Sequence, residues 1–174
     1  MRKFVILVFV LVLLVVPFTV SAAPPTHAHV HFGDENAGSP FPPDHDRSFH
    51  ATDKMVPRTV VISQGGSVTF NTTPPHQIAI YKPGTLPEDI NLHPDFLDDL
   101  VLPSPPFPPN TIIPDILIDD PVGRVVLGPD PDFFGHVEWT TPAGTFDEPG
   151  RYLVICTILP HFAEADMYGW VIVK

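Results

Sequence analysis

A single cysteine stands in this chain, Cys156, with His161 five residues on and Met167 six residues beyond that. Far upstream, His76 opens the apolar segment HQIAIY. A thiolate, two imidazoles and a weak axial thioether make the trigonal copper site used for electron transfer. Thiolate and thioether are soft donors that stabilise Cu(I), while imidazole serves both oxidation states, so little has to rearrange when an electron moves. Each residue also has a plainer reading. Cys156 fits a buried inert thiol or an intermolecular bridge, Met167 fits core filler, and His76 fits a strand-end surface residue. A thiolate–imidazole cage also accepts zinc.

These side chains need elements to position them. Pro57 to Asn71 reads as two β-branched runs, Thr59 to Ile62 and Ser67 to Phe70, around Gln64-Gly65-Gly66, joined by a turn or a tight crossing. His76 to Tyr81 is a further strand, closed by Lys82-Pro83-Gly84. His136 to Thr140 alternates around Val137 and Trp139, and Asp147-Glu148-Pro149-Gly150 is a turn. Arg151 to Thr157 reads as a strand with Tyr152, Val154 and Cys156 on one face and Leu153 and Ile155 on the other. Tyr168 to Lys174 is the last strand. Short strands, turn signals and almost no helix predict an all-β antiparallel sandwich over 56–174. Thr85 to Phe134 is long and Pro-rich, and it reads as an insertion (about 85–134) with pairing segments at Thr111 to Ile113, Ile116 to Ile118 and Arg124 to Leu127. Residues 24–55 read as a His- and Pro-rich extended N-terminal arm.

The run from Gly150 to Lys174, GRYLVICTILPHFAEADMYGWVIVK, together with Pro75-His76, resembles the blue-copper, or cupredoxin, family. The likeness covers roughly Val56 to Tyr81 and His136 to Lys174. Its Cys-to-His interval is similar to that of azurin and rusticyanin rather than plastocyanin. The resemblance implies a Greek-key sandwich of seven or eight strands and one copper ion held by His76, Cys156 and His161, with Met167 axial. It also implies a partly exposed His161 ring as the electron route, with Leu159, Pro160 and Phe162 forming an apolar patch where a redox protein docks. Two departures stand out. Gln77 occupies the place where members often carry an Asn that braces the loop, and the His161-to-Met167 interval is long, which brings Glu164 and Asp166 into question at the axial position.

The rest of the chain bounds the reading. Arg2 and Lys3, the apolar run from Phe4 to Val16 and the small residues Ser21-Ala22-Ala23 have the order of a secretory signal peptide, taken as residues 1–23. The run is shorter than the roughly 20 apolar residues of a spanning helix, so no stable membrane insertion is expected after cleavage, and the mature chain is expected to be secreted or periplasmic. Cleavage lowers the formal charge from −11 to about −13, a poor match to nucleic-acid phosphates. One cysteine excludes an intrachain disulfide. His27, His29 and His31 alternate, so an extended chain puts them on one face, as surface histidines or as donors for Cu(II) or zinc. Asp98-Asp99 and Asp119-Asp120 read as solvated loop charges, and Phe70, Ile78, Trp139, Val154 and Trp170 as the packing around the cage. No catalytic or nucleotide-cofactor signature stands out. Ile155 and Thr157, not histidines, flank Cys156, which argues against a multicopper enzyme. The reading is an exported mononuclear copper protein of electron transfer. The alternative is an envelope copper-binding or delivery protein with no redox-chain role.

Overall fold

The structure is a computed structural model that describes residues 22–33, 53–73, 75–102, 108, 110–129 and 136–174. The signal-peptide reading therefore lies almost wholly outside the described residues, as does the middle of the N-terminal arm, 34–52. The elements in chain order are β1 (His27–Phe32), β2 (Met55–Val56), β3 (Thr59–Ile62), β4 (Ser67–Thr72), β5 (Ile78–Tyr81), β6 (Leu97–Leu102), β7 (Thr111–Ile118), β8 (Arg124–Leu127), β9 (Val137–Thr140), β10 (Gly150–Cys156), α1 (Leu159–Ala163) and β11 (Tyr168–Val173).

Two sheets face each other, one in the order β2-β1-β4-β9 and the other in the order β3-β11-β10-β5-β8. This is the all-β sandwich expected from the strand pattern. Gln64-Gly65-Gly66 proves to be a crossing, because β3 belongs to the five-stranded sheet and β4 to the four-stranded one. At Gly66 an added side-chain carbon would lie 2.7 Å from the Thr26 carbonyl oxygen, so the chain passes too close there for any larger residue.

The N-terminal segment departs from the reading of 24–55 as an arm. Residues His27–Phe32 form β1, parallel to β4, with Val30 opposite Phe70. Val30 and Phe32 are fully buried, and the Phe32 ring meets Phe70 edge-on at 6.1 Å. The alternation of histidine with Ala28, Val30 and Phe32 is a period-two strand pattern, apolar side inward. Burying a Phe side chain contributes about 1.5–3 kcal/mol relative to leaving it exposed, so β1 belongs to the core.

The main core lies between the sheets and contains Phe70, Ile78, Tyr152, Val154, Cys156 and Met167, with Trp139 packed against its edge. A second cluster lies on the opposite face of the five-stranded sheet and gathers Tyr81, Ile90, Ile118, Leu153, Ile155, Phe162 and Trp170. Trp170 thus sits away from the cage side, unlike the sequence-based expectation. The predicted alternation along β10 holds, with Tyr152, Val154 and Cys156 facing one core and Leu153 and Ile155 the other. Both faces being covered explains why LVIC reads as an unbroken apolar run.

The cover on that outer face comes from the region read as an insertion. Its segments at 111–113 and 116–118 form one strand, β7, paired antiparallel with β6, and β8 joins the main sheet beside β5. Asp120, expected in solvent, is buried: its carboxylate accepts from the backbone N–H groups of Asn91 and Val122 at 2.9 Å, and its carbonyl oxygen accepts from the Tyr81 hydroxyl. Asp119 pairs with Arg124. A polar group taken from water needs such partners, and these fasten the cover to the sheet.

Candidate metal centre

The loop from β10 to β11 is short and internally tied. The Cys156 N–H donates to the Met167 carbonyl at 3.0 Å, and the Met167 N–H donates to the His161 carbonyl at 2.9 Å. Between them lies α1, a single turn that accommodates Pro160 near its start, where a missing N–H costs nothing. Asp166 takes a left-handed φ of 53°, which turns the chain into β11; Asp adopts this conformation more readily than most residues. Cys156 Sγ consequently lies 3.7 Å from His161 Nδ1.

Gln77 braces this loop despite its length. Its side-chain oxygen accepts from the Thr157 hydroxyl at 2.7 Å, and its carbonyl accepts from the Thr157 N–H at 2.9 Å. The bond pins the residue after Cys156 to the residue after His76. The two rings His76 and His161 lie 4.9 Å apart between centroids. Behind His76, Gly33 holds a φ of +102°, and an added side-chain carbon there would lie 2.9 Å from His76 Cε1. Only glycine allows that approach.

Met167 is fully buried in the same cluster as Cys156 and Ile158, whereas Glu164 and Asp166 are exposed. Neither carboxylate competes for the interior. His161 is 2 % exposed and Phe162 is also buried, in contrast to the partly open ring that the family likeness implied. Beside these residues β7 packs on α1: Ile118 N–H donates to the Thr157 carbonyl at 2.7 Å and Leu117 bridges to Ile158. The half-buried Leu159 and Pro160 keep some accessible surface.

One residue of this site was missed in the sequence. Asp53, within the segment read as an arm, is 4 % exposed and pairs with His76 Nε2 at 3.2 Å and with His161 Nε2 at 3.9 Å. Asp53, His76 and His161 each offer a donor atom within 4.8 Å of the others. No spacing rule links position 53 to 76 or 161; a lone Asp in a Pro- and Asp-rich stretch carries no signal. In the other histidine set, on β1, the His27 and His29 rings meet edge-on at 4.6 Å. The His27 ring bonds the Ser67 hydroxyl at 2.8 Å, and among the described residues His27, His29 and His31 form no metal-binding group.

The donors suit a metal ion. Burial pushes the Cys156 thiol up to about 12, because a thiolate is costly in an apolar interior without a positive partner. A metal ion bound there would release that proton and hold the resulting thiolate. Soft sulfur with imidazole fits copper or zinc.

Neither a protein-family model nor a curated protein matches the chain. Solved structures similar to it include a dithionite-reduced auracyanin from Roseiflexus castenholzii, 19 % identical over 87 % of this chain and 99 % of that one, with a TM-score of 0.49. Another is auracyanin A, a "blue" copper protein from Chloroflexus aurantiacus, 17 % identical over 86 % of this chain and 99 % of that one, with a TM-score of 0.44. A reduced rusticyanin is 23 % identical over 88 % of this chain and 82 % of that one, with a TM-score of 0.40.

Proposed function

We propose that this chain is an exported mononuclear copper protein of the cupredoxin type that carries electrons, with His76, Cys156 and His161 as equatorial ligands and Met167 as the axial one. The observation that supports it most is the convergence of the lone thiol with an imidazole nitrogen, 3.7 Å apart and buried, beside a second imidazole that comes from about half the chain away. Bound copper would supply a one-electron Cu(II)/Cu(I) couple. The residues of the chain do the rest. The Gln77–Thr157 bond and the backbone ties among Cys156, His161 and Met167 hold the donors against rearrangement, and the buried surroundings exclude water. The similar auracyanin A is described as a "blue" copper protein, which agrees with this reading without carrying it.

A redox protein is proposed to dock at the end bearing α1, near His161 and Phe162. Leu159 and Pro160, half-buried beside the exposed Ala163, would make the contact, since they are the larger apolar side chains of α1 that retain accessible surface. The burial of His161 favours a second reading, copper capture or delivery in the envelope, because a closed ring is a poorer electron port than an open one. Reconstitution with Cu(II) tests the copper assignment: an intense thiolate-to-copper absorption should appear in the visible and vanish in Cys156→Ala. Colour that survives the substitution refutes it. Slow electron self-exchange in the loaded protein would favour delivery over transfer.

A further inference from the structure

We propose that Asp53, His76 and His161 form a three-donor site for a borderline divalent cation, Zn(II), that does not need the Cys156 thiolate. Three observations carry it. First, all three side chains are buried and their donor atoms lie within 4.8 Å of one another. Second, the His76 Nδ1–H donates to the Thr73 carbonyl at 2.5 Å. That bond leaves the lone pair on Nε2, the atom facing Asp53 Oδ1 at 3.2 Å. A backbone carbonyl on one ring nitrogen is the usual device that commits the other to a metal. In the neutral ring that lone pair faces a carboxylate oxygen, so either a proton on Nε2 or a metal ion sits between the two atoms. Zinc bonds of about 2.0–2.2 Å in a tetrahedron place neighbouring donors roughly 3.3–3.6 Å apart, close to the His76–Asp53 separation; the 3.9 Å from His161 Nε2 to Asp53 Oδ2 is a little longer.

Third, the thiol stands on the other edge of the His161 ring, against Nδ1, while Nε2 faces Asp53. Sulfur and carboxylate therefore do not compete for one nitrogen. Softness then sorts the ions: copper favours the sulfur edge, and Zn(II), which accepts oxygen and imidazole, is served by the Asp53 edge. This site shares His76 and His161 with the copper reading but not Cys156, so each can fail without the other.

The test is zinc uptake by full-length Cys156→Ser. It should bind about one Zn(II) per chain, with a raised melting temperature and a zinc-edge X-ray absorption spectrum showing imidazole and oxygen neighbours. Asp53→Asn in that background should weaken binding by about tenfold or more, and Asp53→Glu should recover part of it. Absence of uptake by Cys156→Ser, or equal affinity after Asp53→Asn, overturns the proposal. Should the double variant not fold, the melting shift and the absorption spectrum of Cys156→Ser alone decide, and no shift or no imidazole neighbours overturns it. A wild-type chain that turns blue while Cys156→Ser takes no zinc sinks this site only. A chain that stays colourless with copper while Cys156→Ser binds zinc sinks the copper reading only.

Discussion

The C-terminal run 150–174 and the N-terminal residues 27–33 and 53–56 meet at the same site but are built by opposite means. In the first, three of the proposed ligands sit within a dozen residues, and neighbouring backbone groups tie them together. In the second, β1 meets β2 antiparallel at one end, with His31 opposite Val56 and Phe32 opposite Met55. It is held by parallel pairing to β4 and by Phe32 in the core, and Gly33 and Asp53 reach the histidines only because the sandwich closes. The contrast teaches that a cage can be locally encoded on one side and wholly tertiary on the other.

The largest effect should come from the tertiary side. Phe32→Ala removes a fully buried ring and should cost about 3–5 kcal/mol of unfolding free energy, measured by denaturant titration of the metal-free protein. A loss under about 1 kcal/mol would return β1 to the status of a loose arm. Next, Gly33→Ala forces an alanine into a left-handed φ, into the Thr73 hydroxyl and against His76. It should cost about 1–3 kcal/mol and weaken copper retention in a chelator challenge, because the ring it displaces is a proposed ligand. Unchanged retention would separate Gly33 from the site.

The smallest effect belongs to the C-terminal side. Cys156 keeps its proton in the folded metal-free chain up to about 12, against an ordinary 9.0. Above pH 9 the unfolded chain loses that proton and the folded chain does not, so stability declines as pH rises through that window. Between pH 9 and 10, before Tyr81, whose own value is raised from 10.0, contributes, Cys156→Ser should flatten the decline in a melting series. An identical slope in both proteins would remove the thiol from the account.

The strands that stand in clear apolar or alternating runs, β3, β4, β5, β9, β10 and β11, were readable almost to their ends, because period-two burial writes itself into the residue order. The two faces of β10 were also readable, and so was the trio Cys156, His161 and Met167, since a short loop keeps its ligands close in sequence. By contrast, β1 was hidden because histidine replaces the usual solvent-side residues, and the covering role of 85–134 was hidden because proline masks strand signals. Asp120 looked solvated, although its carboxylate is spent on backbone donors.

By itself, then, the order of residues determined the fold class, the crossing at Gly65-Gly66 as a break, and a soft donor set on one loop, all of them matters of local spacing and type. Only the tertiary structure decided that His76 reaches His161, that the His161 ring is buried on a turn packed by β7, and that Asp53 faces both rings. Those are contacts between segments dozens of residues apart, and no local pattern specifies which distant side chain fills the last open edge of a buried ring.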